Sequence, residues 1–285
     1  MAKILFKQQL SADVFLIRVH APHIAEERLA GQFIILQIDL EFGERIPLTI
    51  ADADTQEGSI TLIFQAVGRT TRLLSHLETG DDIPVLVGPL GKPTHIEKYG
   101  HVVCVSGGVG TAPMHPIAQA LKKAGNRVSI IMGARHKELL FWEDKMQAIA
   151  DENFIITTDD GSAGRKALVT EPLKELCESA DKPDLVIAIG PSIMMKFCAK
   201  TTEPFHVPTL VSLNTIMVDG TGMCGCCRVN VGGKVKFACV DGPEFDGHLV
   251  DWDNLMHRMS TYREIEKDHL CNMERMALEK EAEGK

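Results

Sequence analysis

The sequence predicts a multi-domain chain of β plus α/β class, with an antiparallel β-barrel, a parallel-sheet domain and a small C-terminal module. Three observations predict it. Short β-branched runs punctuated by glycine fill the first hundred residues, strand and helix patterns alternate over the next hundred, and four cysteines fall within sixteen residues near the end. A length of 285 residues fits about two domains at a prior of roughly 150 each, leaving space for one smaller unit.

The first unit spans residues 1–98. Apolar runs at 14–19, 32–38 and 59–64 are separated by Gly31, Gly43, Gly58 and Gly80, a spacing typical of antiparallel barrels and sandwiches. The segment Gly88-Pro89-Leu90-Gly91-Lys92-Pro93 then breaks the pattern and predicts a boundary. Over residues 99–212 the rhythm changes. Buried-strand patterns at 101–105, 127–132, 154–158 and 185–189 alternate with helical stretches, the first near 112–124, which predicts a parallel sheet with crossover helices. Residues 213–250 form a Gly- and Cys-rich unit too short for a core of its own. In 251–285, Leu255, Met259, Tyr262 and Ile265 recur at helical steps, and the last 23 residues carry twelve charges. A solvated helix end and a partner-binding arm both fit that tail.

Composition narrows the function classes. With 45% hydrophobic and 24% charged residues the chain can bury real cores. A net charge of −9 offers no basic face to phosphate backbones, so nucleic acid is not an expected partner. No run approaches the roughly 20 apolar residues that span a bilayer, and Lys7 interrupts the start where a secretion signal needs an apolar core. A cytoplasmic location is expected, and there the eight cysteines are thiols or metal ligands before they are disulfides.

Cys224 and Cys227 form a C-x2-C, Cys239 follows twelve positions later, and Asp219 stands five before Cys224, where a plant-type [2Fe–2S] ferredoxin loop has its first cysteine. The spacing D-x4-C-x2-C-x11-C is therefore a ferredoxin-like ligand set with one carboxylate, which can ligate iron although it is harder than sulfur. Gly220 and Gly222 let the loop fold its amides around inorganic sulfide. Cys226, between two ligands, is expected to point away. Zinc held by three thiolates and a carboxylate is the chemical alternative. Cys104, Cys177, Cys198 and Cys271 read as small hydrophobes.

The strand ending at Val105 leads into Ser106-Gly107-Gly108-Val109-Gly110-Thr111-Ala112-Pro113 and a helix. Such a turn lets backbone amides approach a pyrophosphate. The second strand ends near Arg135, His136 and Lys137 with no acidic residue at its tip, so both NAD(H) and NADP(H) fit. Gly190-Pro191 after a further strand marks the carboxyl edge of the sheet, where open α/β folds bind ligands.

Together these pieces resemble the ferredoxin-NADP reductase superfamily. The cysteine cluster narrows the likeness to electron-transfer subunits similar to that of dihydroorotate dehydrogenase. Within these, Arg45-Ile46-Pro47-Leu48-Thr49-Ile50, Gly161-Ser162-Ala163-Gly164-Arg165-Lys166 and Asp219 in place of a cysteine most resemble one branch. This is the small (alpha) subunit of NADH-dependent reduced ferredoxin:NADP oxidoreductase, also called sulfide dehydrogenase beta subunit. The resemblance implies an FAD-binding barrel, an NAD(P)-binding α/β domain and a [2Fe–2S] module. Arg45, Pro47, Leu48 and Thr49, then Ile63, Phe64 and Gln65, then Gly68, Thr70 and Thr71 match the flavin motifs. The family's arginine three residues before the Ser/Thr is Ile46 here. Gly107, Gly108, Gly110, Thr111 and Ala112 match the nucleotide loop, and Gly190, Pro191 and Met194 match the segment beside the nicotinamide. The family's cysteine before that Gly-Pro is Ile189.

The implied activity is hydride exchange between NAD(P)H and FAD and single-electron exchange between FAD and the cluster, with no catalytic side chain required. The implied partner is a large flavin/iron–sulfur subunit that deals with ferredoxin and possesses electron-bifurcating chemistry. The electron-transfer subunit of dihydroorotate dehydrogenase is the nearer alternative, although a cysteine is expected there at position 219. A zinc-stabilised nucleotide sensor is the more distant one.

Overall fold

The computed structural model describes residues 1–41, 43–266 and 268. The tail reading and Cys271 therefore lie largely outside the described residues. Seven strands build the barrel: β1 (Ala2–Gln9), β2 (Val14–His20), β3 (Phe33–Gln37), β4 (Ile46–Asp54), β5 (Ser59–Gln65), β6 (Asp82–Ile83) and β7 (Val85–Leu90). They pair antiparallel in the order β6-β1-β2-β5-β4-β3-β7, a nearly closed sheet. Inward positions carry Ile17, Val19, Ile34, Leu36, Ile60 and Leu62, which form its core, and two short helices, α1 (Pro22–Glu27) and α2 (Arg69–His76), plug it. The predicted break at Gly88-Pro89 comes two residues later, because β7 runs to Leu90. It is an edge strand, where proline's missing N–H costs no ladder bond.

The second sheet takes β8 (His101–Gly107), β9 (Arg127–Ala134), β10 (Phe154–Thr158), β11 (Arg165–Lys166), β12 (Leu185–Ile189) and β13 (Thr209–Ser212), all parallel. Helices α3 (Thr111–Lys123), α4 (Glu143–Ile149), α5 (Thr170–Glu178) and α6 (Ser192–Thr202) make the crossovers. β8 is buried at every position, as a central strand covered on both faces must be. The strand order β11-β10-β9-β8-β12-β13 reverses between β8 and β12, so a crevice opens at their carboxyl ends.

The last segment adds a hairpin, β14 (Arg228–Val231) and β15 (Lys234–Phe237), then α7 (Ala238–Asp241), β16 (Glu244–Asp246) and α8 (Trp252–Ser260). β16 pairs antiparallel with β13 and extends the parallel sheet. Cys227, Val229, Ala238 and Cys239 share one core with Val103 and Val186 of the sheet and with Phe33 and Ile35 of the barrel. Thr94 donates to the buried Glu244 carboxyl at 2.6 Å, and the Lys92 amide donates to the Gly242 carbonyl at 2.7 Å, closing the three-way joint. Burial pushes the Glu244 carboxyl up to about 7. α8 is shorter than its apolar periodicity predicts. A turn at 261–262 interrupts it, residues 263–266 are helical again, and Tyr262 and Ile265 are half-exposed. Among the described residues, no helix is long and apolar enough to cross a membrane.

Candidate functional site

The turn after β8 is built for close approach. Gly108 has φ +54 with open space where a side chain would begin, and residues 108–110 form a single 3-10 turn leading into α3. A Cβ on Gly110 would sit 2.3 Å from the Ile189 carbonyl oxygen, and one on Gly107 would sit 2.4 Å from the Met194 Sδ. The two strand ends at the switch point therefore touch through bare backbone. Thr111 and Ala112 are buried beneath this turn: Thr111 donates to Ser106 at 3.2 Å, while Ala112 joins the apolar seam between the two domains. They shape the loop without lining the site.

A cavity of about 990 Å³ runs from this turn to the barrel. On the sheet side Gly107, Gly108, Gly110, Arg135, Gly190, Pro191 and Met194 line it, and on the barrel side Pro47, Leu48, Thr49, Ile63, Phe64, Gln65 and Thr71. Fourteen of the nineteen cofactor residues expected from the sequence thus face one space. The other five do not. Beyond Thr111 and Ala112, Arg45 is exposed and donates to Gln37 at 3.5 Å, and Thr70 is buried and donates to Glu44 at 2.8 Å. Gly68 lies just outside, where its amide donates to Thr71 Oγ1 at 3.0 Å as α2 begins. Gln65 is held in place by donating to Asp13 at 2.7 Å. The barrel wall is apolar over most of its extent, which suits a flat ring system.

The reading from sequence missed a third wall. Ser212, Leu213, Asn214, Thr215, Met217 and Pro243 bring the C-terminal segment onto the same cavity. The signal was present, since Ser212 is the carboxyl end of the next parallel strand beside the switch point.

The cysteine loop rests on the barrel. Gly220, at φ +77, lies so close to β3 and β7 that a Cβ would meet Leu90 Cδ1 at 2.6 Å and Ile35 Cγ1 at 3.0 Å. Asp219 turns into its own loop and accepts the Thr221 and Cys224 amides, each at 2.7 Å. The Thr221 amide first, then that of Cys224, hold its carboxyl below the usual range. Cys227 and Cys239 are buried with their sulfurs 3.2 Å apart, and burial pushes the Cys239 thiol up to about 12. Coordination to a metal is what deprotonates such a thiol. Among the described residues no three side chains of metal-binding type converge on one point. Asp219 instead accepts from the Cys224 amide, and Cys227 and Cys239 lie sulfur to sulfur, so a two-iron centre would be held by two adjacent pairs. This donor set fits a [2Fe–2S] cluster better than a single tetrahedral zinc ion, which needs all four atoms around one centre. Burial pushes the Cys226 thiol up, and Cys224 is the exposed member of the group. Cys104, Cys177 and Cys198 are buried as expected, with burial raising their thiols to about 12, 11 and 12.

Comparison with known proteins agrees with this geometry. Residues 104–200 match the oxidoreductase NAD-binding domain, and residues 214–251 match the iron–sulfur cluster binding domain of dihydroorotate dehydrogenase B. The dihydroorotate dehydrogenase B (NAD(+)) electron transfer subunit homolog of Thermotoga maritima is 50% identical over 265 residues, 93% of each chain. The electron transfer subunit of dihydroorotate dehydrogenase B from Desulforamulus reducens is 32% identical, covering 88% of this chain and 98% of its own. A solved structure of NADH-dependent reduced ferredoxin-NADP oxidoreductase, described for flavin-based electron bifurcation, superposes with a TM-score of 0.89 at 46% identity, covering 95% of this chain and 98% of its own. A ferredoxin NADP+ reductase from Neisseria gonorrhoeae shares the fold at 17% identity and a TM-score of 0.60, over 72% of this chain and 90% of its own. The chain therefore belongs to the family of dihydroorotate dehydrogenase B electron transfer subunits and their homologs, as an oxidoreductase subunit of the ferredoxin-NADP reductase type.

Proposed function

We propose that this chain is the small subunit of a ferredoxin:NADP oxidoreductase of the NADH-dependent type, carrying FAD, a [2Fe–2S] cluster and a pyridine-nucleotide site. The single observation that carries the reading is the continuous cavity bounded by the flavin-motif strands on one side and the glycine turns on the other. Residues 1–98 are the FAD-binding barrel, 99–212 the NAD(P)-binding domain, 213–250 the cluster module and 251–285 the C-terminal helix and charged tail. Bound FAD supplies the exchange between two-electron hydride chemistry and one-electron transfer. The chain's own work is placement. Pro47, Leu48 and Thr49 with Ile63, Phe64 and Gln65 hold the flavin, and Gly107, Gly108 and Gly110 admit the pyrophosphate to bare amides. Gly190, Pro191 and Met194 would lie beside the nicotinamide on the sheet side of the cavity. Arg135 stands at the mouth of the cavity for the adenosine half, with NAD(H) and NADP(H) both accommodated. Asp219, Cys224, Cys227 and Cys239 hold the irons on a loop seated against β3 and β7.

The 46%-identical solved oxidoreductase supports a larger flavin and iron–sulfur subunit as partner, with ferredoxin reached through it and bifurcation as the chemistry of the whole. A cytoplasmic location fits free thiols. Relatives named as dihydroorotate dehydrogenase B subunits favour a second reading, in which the partner oxidises dihydroorotate. Anaerobic purification of the native complex tests both. One FAD and two irons per small chain, with flavin bleaching on NADH or NADPH, are expected. A partner that reduces ferredoxin supports the first reading, and one that oxidises dihydroorotate supports the second. A colourless zinc protein overturns both.

A further inference from the structure

Two arginines from different elements close on the turn between Cys224 and Cys227. Arg228, the first residue of β14, donates through Nη1 to the Gly225 carbonyl at 3.0 Å. Arg258, on α8, donates through Nη2 to the Cys226 carbonyl at 3.1 Å. Consecutive carbonyls of one short turn therefore each take a permanently charged donor. Neither guanidinium pairs with a carboxylate among the described residues. The chain carries a net charge of −9, so these two cations run against its general field.

Arg258 is carried there by a helix fixed at several points. The Asp251 amide donates to the Asn230 carbonyl of β14 at 2.9 Å, the Trp252 indole to the Gly247 carbonyl at 3.0 Å, and Lys196 of α6 to Asp253 at 2.6 Å. Leu255, one helical turn before Arg258, is buried in the shared core. Arg258 is half-buried and Arg228 is exposed, so solvent screens the Arg258 charge less. The two bonds also set the peptide planes. A trans peptide points its N–H opposite to its C=O, so the Cys226 and Cys227 amides face away from the arginines. Neither amide has an acceptor among the described residues, which suits bridging sulfide.

Resting on the functional reading above, we propose that Arg228 and Arg258 are positioning residues that raise the reduction potential of the two-iron centre. A sulfide-bridged diiron core held by three thiolates and a carboxylate is anionic before reduction, and one electron from the flavin adds a further negative charge. Fixed cations beside the ligand turn stabilise the more negative state, so each favours the reduced centre. Arginines that only held the turn in shape would act through iron content instead.

Glutamine keeps an amide donor and removes the charge, whereas lysine keeps the charge without the guanidinium fork. The assay is an anaerobic redox titration of the full-length holoprotein, followed by the EPR signal of the reduced centre, with iron and FAD analysed in each sample. At the wild-type midpoint, Arg258→Gln should lower the ratio of reduced to oxidised centre about tenfold, a shift of about 59 mV for one electron. Arg228→Gln should lower it about threefold, because its charge is the more screened. Arg258→Lys should stay within about twofold of wild type. An unchanged ratio in Arg258→Gln overturns the inference, as does an Arg258→Lys that falls as far as Arg258→Gln. Should Arg258→Gln lose its iron, Arg228→Gln and Arg228→Lys are read by the same criteria. Iron loss from both glutamine variants would show that the arginines only hold the turn, and also overturns it. A wild-type protein without a two-iron EPR signal overturns the functional reading instead.

Discussion

Replacing Glu244 with glutamine isolates the electrostatic cost of the three-way joint. The carboxyl lies on β16 where the barrel linker, the parallel sheet and the cluster module meet, and its one described partner is the Thr94 hydroxyl at 2.6 Å. Burial raises it from 4.5 to about 7. The rise from 4.5 to about 7, at about 1.36 kcal/mol per tenfold change in proton affinity, is on the order of 3 kcal/mol. The sign follows from the direction of the shift. The fold prefers the protonated acid, so its contribution is complete below the ordinary carboxylate range and is lost as pH rises from about 4.5 to about 7. Glutamine keeps a carbonyl oxygen for Thr94 and cannot ionise. Thermal midpoints of the holoprotein between pH 5 and pH 8.5 provide the assay. The two proteins should melt together at the acid end, and Glu244→Gln should melt higher by roughly 5–10 °C at the alkaline end. Parallel curves, or a variant that melts lower at high pH, would show that the carboxylate is solvated in the fold and would refute the reasoning.

Other outcomes follow from the cluster loop and the nucleotide turn. Cys227→Ser should lose the cluster's EPR signal and iron while flavin reduction by NAD(P)H continues, because the nucleotide turn and the flavin wall do not depend on that sulfur. Asp219→Ala should bind iron poorly, whereas Asp219→Cys should keep two irons per chain with an altered EPR line shape, a thiolate being softer than a carboxylate. Gly110→Ala places a Cβ 2.3 Å from the Ile189 carbonyl oxygen, so overpacking should cost about 1–3 kcal/mol and weaken nucleotide binding in equilibrium titration, with flavin content unchanged.

Period and punctuation made much of the architecture legible. The continuous apolar runs at 101–105 and 185–189 became the central strands β8 and β12, and the glycine turn became the lip of the switch-point crevice. Other features were hidden for physical reasons. β4 carries Pro47 and polar residues on its outer face, so its pattern is too weak to read as a strand. Asn214 and Thr215 are ordinary loop residues until β13 is placed beside β12. Arg45 and Thr70 matched flavin motifs by sequence position, but side-chain direction is decided by local partners, and Gln37 and Glu44 are the described ones.

The cluster segment has no interior of its own, and its buried side chains interlock with both larger bodies. It behaves as a keystone rather than a cassette. Excised, residues 213–250 would have no apolar partners to close over Cys227 and Cys239 and no platform beneath Gly220. The cluster segment therefore cannot be carried to another chain without the barrel and the sheet that close over it.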